Sequence, residues 1–422
     1  MMDLASCPEA ELFPLDPHNI NIHDEGQRLN ARGHIVPVLL DQRIRAWATG
    51  NRAVAEAILG GPDFRKHPDN WADLRVPGKI PADWGILEFI KMPGMLNEDG
   101  PRHRELRNLV SKAFTPRRVE LLRPCIDTIV GQLISSLKET APDEFVDVRR
   151  RFAFELPMQI ICHLFGLDPS SSGTLARDYT AIHDSRSSAA QVEAGKAGVA
   201  GIIGTLIAEK RQHEGDDLTS ALIRATDGEN ATLDDTLLLY TLMLFLFAGH
   251  ETTQNLISNA LKALADHPTQ LTRVRAGTVS IDAVVEETLR YNSPINTIMF
   301  RYAAADVAVP GTDVVVKAGE AVVICVAATG RDETAFGPDA HTFDPFRSVL
   351  EQHLAFGHGV HYCIGAPLAR MMASTAVGAF LDAFDLDRTG APESEPISSY
   401  SSNCDRELWG RLTPAAAVTA AA

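Results

Sequence analysis

The segment Phe356-Gly357-His358-Gly359-Val360-His361-Tyr362-Cys363-Ile364-Gly365-Ala366-Pro367 constrains this chain more than any other stretch of it. Gly357 and Gly359 permit tight turns, so the backbone can lie against a flat surface and aim N–H groups at a sulfur. Pro367 and the apolar periodicity that follows it place the start of a helix just after Cys363. A thiol at a helix N-terminus feels the positive end of the helix dipole, which favours the metal-binding thiolate. Two other readings exist for these residues: an inert buried thiol beside a glycine turn, or a zinc site drawn from His353, His358, His361 and Cys363. Neither gives a purpose to Phe356 or to the flanking glycines.

The remainder reads as a helical protein. Helical periodicity covers residues 101–114, 118–137, 156–165, 189–211 and 232–265, whereas β-type segments are confined to 36–40, 314–316, 321–326 and a stretch near the C-terminus. Thr232-x-x-Asp235 has the form of a capping box and marks the start of the longest helix. The most apolar stretch, 237–248, is interrupted by Tyr240 and Thr241 and falls short of the ~18 residues of a membrane span. Residues 60–97 hold five prolines (Pro62, Pro68, Pro77, Pro81, Pro93) and no sustained period, which predicts a lid or substrate-access loop, with a partly disordered surface loop as the other reading. No repeat or linker divides the chain, so residues 1–422 are expected to form one domain.

Charge and cysteine usage narrow the setting. A net charge of −16 argues against a nucleic-acid surface and means that any anionic ligand must be held by specific cations. Six cysteines without a CxxC pair suit a reducing compartment, and the acidic first thirty residues resemble no export signal. A cytoplasmic protein is expected.

A second motif lies on the long helix, Ala248-Gly249-His250-Glu251-Thr252-Thr253. Gly249 would thin the helix, Thr252 can bond back to the carbonyl four residues earlier, and an acid beside an alcohol can order water and relay protons. Taken alone it is equally a polar face on an apolar helix. A third, Glu287-Thr288-Leu289-Arg290, puts opposite charges on one helix face.

Together these motifs resemble the cytochrome P-450 family. Its haem signature, Phe-Gly-x-Gly-x-His/Arg-x-Cys-x-Gly, is matched at every fixed position from Phe356 to Gly365. Its long-helix motif Ala-Gly-x-Asp/Glu-Thr-Thr and its Glu-x-x-Arg pair are present as well. The resemblance spans about residues 31–412 and implies a mainly α, single-domain triangular fold with a small β-rich region and one haem b. It implies Cys363 as the iron ligand with Phe356 over the sulfur, and Gly249, Glu251 and Thr252 in the dioxygen groove. His103, Arg107, Arg301 and His361 would hold the haem propionates, and Glu287, Arg290 and Arg347 a buried structural triad. The sequence departs from the family at Gly100, where Pro is frequent, and at Gly330, where Asn is frequent.

The implied reaction is insertion of one atom of dioxygen into an organic substrate. Electrons would come from NAD(P)H through ferredoxin reductase and a ferredoxin, because the chain lacks a glycine-rich dinucleotide fingerprint. Arg104, Lys112 and Arg370 are candidate contacts for that partner. By family position, Trp84, Phe89, Met92, Met95, Met243, Leu244, Phe247, Ile295, Asn296, Thr297, Ile298 and Tyr400 would line a pocket for a bulky, mostly apolar compound. Specialised-metabolite biosynthesis or steroid and terpenoid oxidation is the expected setting. Oxidative coupling or rearrangement, a peroxide-driven peroxygenase, and a non-catalytic haem or zinc module are the other readings. The family's peroxide users tend to lack the acid–alcohol pair found here.

Overall fold

One long helix, Asp235–Asp266, forms the axis of the computed structural model, which describes residues 4, 6–41, 43–112, 114–168, 171–183, 186–225, 233–348 and 353–415. The Asp234 carboxylate caps it by accepting from Leu237 N–H at 2.7 Å, whereas Thr232 of the expected capping box lies outside the described residues. Leu238, Leu242 and Leu246 are fully buried, and so are the polar Asn255 and Asn259 further along. A helix buried on several faces belongs to the interior. Helices Glu155–Phe165, Ala189–Gln212, Ile281–Tyr291 and Ala366–Ala383 pack around it.

Local chemistry sets these boundaries. Ser188 and Gln191 form a reciprocal capping box at the start of Ala189–Gln212. Gly166, at φ 69°, closes Glu155–Phe165 in the left-handed region that favours glycine. The helix expected over 118–137 is instead two, Pro116–Glu120 and Arg123–Lys138. Pro124 has no N–H to give a preceding carbonyl, so the chain restarts there.

The β structure is a minority. A six-stranded mixed sheet runs in the order Phe13–Pro14, Val36–Leu40, Ile44–Thr49, Ala321–Cys325, Thr297–Ala303, Phe64–Arg65. A second sheet joins Phe384–Asp387, Trp409–Pro414 and Phe145–Asp147, and Val307–Ala308 pairs with Val315–Val316. Residues 60–97 are more ordered than a free lid: they contain the short helix Leu87–Lys91 and three 3-10 turns. Trp71 anchors the segment by stacking on Tyr302 with ring centroids 5.6 Å apart. Among the described residues no helix is long and apolar enough to cross a membrane.

Helix Ile281–Tyr291 is locked to the segment leading to the cysteine loop. Glu287 and Arg290 are completely buried and joined by two bonds of 2.7 Å. Arg290 also donates to the carbonyls of Gly330, Ala340 and Thr342, and Glu287 accepts from Asp344 N–H at 2.7 Å. Arg347 stands 3.8 Å from Glu287 and bonds chiefly to Asp339 and the Phe336 carbonyl. Gly330 is built into this lock: a Cβ there would lie 2.0 Å from Arg290 O. Gly100 likewise adopts φ 58°, which no proline can.

Candidate active site

The cysteine loop is shaped by its glycines. Gly357 and Gly359 adopt φ of 73° and 72°, and a Cβ on Gly359 would stand 2.9 Å from Leu59 O, so only glycine lets the loop close onto helix Arg52–Gly60. Cys363 N–H donates to Phe356 O at 2.9 Å and shuts the turn. Helix Ala366–Ala383 begins immediately afterwards. The Cys363 side chain is exposed in surface area yet closely flanked by protein. Desolvation therefore pushes its thiol up, while the N–H groups of Gly365 and Ala366 and the Arg107 guanidinium draw it back.

A charged bracket lies under the loop. Arg370 holds Glu286 through bonds of 2.5 and 3.0 Å, and His353 Nε2 lies 3.0 Å from the same carboxylate. Burial works against Glu286, but His353 and Arg370 outweigh it and hold its carboxyl down to about 2. The Arg370 guanidinium sits 4.5 Å from the Phe356 ring centroid. Arg370, a candidate contact for an electron donor, is thus paired with Glu286 while its side chain stays about one-third exposed. Arg104 and Lys112 are exposed.

Beside the cysteine is a concentration of basic side chains. His103, Arg301 and Lys66 are buried, and the rings of His103 and His361 lie 4.1 Å apart. Arg107 donates to the Tyr362 carbonyl at 2.5 Å. Burial, followed by the fields of Arg301, His103, Lys66 and Arg107, depresses His361 to about 2, and burial lowers Arg301 to about 10. Lys66 is depressed far below an ordinary amine by burial and by Arg301. The carboxylate within reach, Asp99, accepts from the backbone N–H groups of Lys66 and His67 at 2.7–2.9 Å. His361 Nε2 is buried without a hydrogen-bond partner. Burial holds several of these basic side chains toward their neutral forms, and Lys66 Nζ donates to Met299 O at 2.5 Å; an anionic ligand would favour their charged forms and give the His361 nitrogen a partner. Two carboxylates of a haem, beside a thiol framed for ligation, match this donor set.

On the long helix Thr252 Oγ1 donates to Ala248 O at 2.8 Å, and Glu251 Oε1 accepts from Ser402 Oγ at 2.7 Å. His250 points the other way, with Nε2 2.9 Å from Phe154 O between the rings of Phe154 and Tyr179. Gly249 packs toward a neighbouring helix. A Cβ there would meet Ile161 Cδ1 at 3.4 Å, so its bare side faces helix Glu155–Phe165, and Ala248 is the small residue left exposed in mid-helix.

The pocket candidates divide. Met92, Met95, Met243, Phe247, Ile295 and Ile298 are half-buried, Leu244 is buried, and Phe89 is exposed. Trp84, Asn296, Thr297 and Tyr400 are buried and engaged by neighbouring residues. Trp84 lies within 6.2 Å of Trp71 and Phe300, and Asn296 donates to Asn19 Oδ1 at 2.7 Å. Thr297 donates to Tyr400 O at 2.6 Å, and Tyr400 OH accepts from Asp41 N–H at 2.7 Å. Lys66, Ala248, Glu286 and Ser402 escaped the sequence reading. Helical phase from Thr252 points to Ala248, whereas the other three carry no local signal.

Among the described residues no group of three His, Cys, Asp or Glu is placed to hold a metal ion, which removes the zinc reading's ligand set. A family profile described as Cytochrome P450 matches residues 199–278 and 279–402. The 2-hydroxy-5-methyl-1-naphthoate 7-hydroxylase of Streptomyces carzinostaticus is 37% identical over 380 residues, covering 90% of each chain. The monooxygenase PikC of Streptomyces venezuelae is 38% identical over 84% of this chain and 82% of its own. In structure, testosterone-bound CYP154C4 from Streptomyces sp. ATCC 11861 matches with a TM-score of 0.88 at 34% identity, over 95% of this chain and 98% of that one. The tirandamycin C-bound monooxygenase TamI matches with a TM-score of 0.81 at 31% identity, over 95% and 100%.

Proposed function

The chain belongs to the cytochrome P450 family, and from that premise we propose that it is a monooxygenase acting on a bulky, mostly apolar organic compound of specialised metabolism. Family members are oxidoreductases that carry haem b on a cysteine thiolate. When bound, that group supplies the iron at which dioxygen is activated. The observation that carries the proposal is the cationic cluster, with the unpartnered Nε2 of His361, next to the glycine-framed Cys363.

Each residue then has a task. Cys363 would ligate the iron, with Phe356 of the same loop against Arg370 and the Arg370–Glu286–His353 bracket holding it. His103, Arg107, Arg301, His361 and Lys66 would bind the propionates. Thr252, whose hydroxyl proton is committed to Ala248 O, offers lone pairs to a water, and Glu251 would exchange a proton with that water. Ala248 leaves room where a larger side chain would intrude. Met243, Leu244, Phe247, Met92, Met95, Ile295 and Ile298 supply an apolar wall for a ligand held by shape. One relative is named for a 2-hydroxy-5-methyl-1-naphthoate, an aromatic acid, and two structural neighbours carry testosterone and tirandamycin C, which supports a bulky organic ligand.

Electrons would arrive from NAD(P)H through a ferredoxin reductase and a ferredoxin docked on the cysteine side, with exposed Arg104 and Lys112 among its contacts. The whole chain would act as one haem domain in the cytoplasm, in keeping with six free cysteines. Turnover under ¹⁸O₂ with a surrogate ferredoxin pair, on a panel of steroids, macrolides and aromatic acids, tests the reaction class. A product carrying one labelled oxygen is expected. Unlabelled coupled or rearranged products, or turnover with peroxide but not with dioxygen, would replace the monooxygenase reading.

A further inference from the structure

Glu251 meets Ser402, a residue distant in sequence whose hydroxyl donates to Oε1 at 2.7 Å. Ser402 is buried, and its turn is held from several directions. The Asn19 amide nitrogen lies 3.0, 2.6 and 2.8 Å from the carbonyls of Ile397, Ser399 and Ser402. Asn403 donates to Asn292 Oδ1 at 2.9 Å and to Ser293 O at 2.7 Å, and Ser402 pairs with Ile295 through a backbone bridge. Ser399 Oγ accepts from the N–H groups of Ser401 and Ser402 at 3.1 and 3.0 Å. Asn19 and Asn403 are themselves buried, and buried amides are tolerated when they are bonded, so these contacts make the turn rigid.

We infer that Ser402 is a positioning residue for proton delivery by Glu251. The inference rests on the relay reading of Glu251 and Thr252 given above. A carboxylate required only to stay charged would be served by lysine or arginine, which donate and cannot accept. A serine hydroxyl does both. It donates to Glu251 when the carboxylate is ionised and accepts from it when it is protonated, so the contact survives each passage of a proton. One proton reaches Glu251 from water, one leaves it toward the water on Thr252, and Ser402 ends as it began. The carboxyl group is thereby returned to one rotamer after every transfer.

The test is dioxygen consumption by haem-loaded enzyme, driven by NADPH through a plant-type ferredoxin and its reductase, in H₂O and D₂O. Ser402→Ala should slow it about tenfold, as expected for losing one hydrogen bond to a charged group, and raise the solvent isotope effect. Ser402→Thr should restore both values. In a Glu251→Gln background, Ser402→Ala should slow the enzyme no further. Ser402→Cys, a weak donor of similar size, should follow Ser402→Ala and replaces it if that variant does not fold. A wild-type rate and isotope effect in the Ala or Cys variant, with Glu251→Gln slow, overturns the role of Ser402 and leaves the relay standing. Slowing that adds to that of Glu251→Gln assigns Ser402 to packing and also overturns it. A wild-type rate in Glu251→Gln removes the relay and this inference together.

Discussion

Replacing Glu286 by Gln keeps the shape of the bracket beneath the cysteine loop and removes the charge that holds it. The wild-type carboxylate is engaged by Arg370 and by His353, and together they hold it from 4.5 down to about 2 against the opposing effect of burial. A depression of that size corresponds to at most about 3 kcal/mol of folded-state preference for the ionised form. Because Arg370 is about one-third exposed, solvent screening reduces this to about 2 kcal/mol. Unfolding entropy of roughly 2.1 cal/mol/K per residue, applied to 422 residues, gives about 0.9 kcal/mol/K. The Glu286→Gln variant should therefore melt roughly 2–3 °C lower at pH 7. The pH dependence has a definite sign. A carboxyl whose folded pKa is depressed stabilises above its unfolded value, and that stabilisation is lost as pH falls through the folded one. The gap between the two proteins should be constant above pH 4.5 and shrink from there toward pH 2. Paired melting curves of the haem-loaded proteins between pH 7 and pH 3 measure it. Equal melting temperatures throughout would show that the bracket is solvated and contributes nothing.

Other perturbations separate structural from chemical roles. Glu287→Ala strands the buried Arg290 guanidinium at a cost of about 3–5 kcal/mol, so little soluble haem-loaded protein should be recovered; normal yield with slow turnover would contradict it. Lys66→Met removes one buried amine from the cationic cluster and should raise the rate of haem transfer to apomyoglobin about tenfold, whereas an unchanged rate would exclude Lys66 from the propionate site. Thr252→Ala should keep consuming NAD(P)H while releasing peroxide, with product per electron pair lowered about tenfold. Unchanged coupling would remove Thr252 from proton delivery.

What the sequence disclosed was what it holds locally. The cysteine loop packs its glycines, its thiol and its helix start into one segment, and the long helix repeats its period over enough residues to declare itself. The Glu287–Arg290 pair lies within one helical turn, although the carbonyls that surround Arg290 come from residues 330–342 and left no trace. The pocket wall was less legible because an apolar residue looks the same in a core and in a cavity: only tertiary packing sends Trp84 against Trp71 and leaves Met243 half-buried. Arg370 reads as a surface cation until Glu286, on another helix, is brought against it. Two-residue strands such as Phe64–Arg65 are too short to show a period, and Lys66, which follows that strand, gave no sign of entering the cationic cluster.

Every role assigned at the site depends on Cys363 as a thiolate ligand, and the absorption spectrum of the reduced protein under carbon monoxide reads that ligand out. Wild-type protein loaded with haem b should show the strongly red-shifted Soret band of thiolate-ligated haem, and Cys363→His should bind haem without that band. A red-shifted band that persists in Cys363→His, or is missing from correctly loaded wild-type protein, would contradict the assignment and the chemistry built on it.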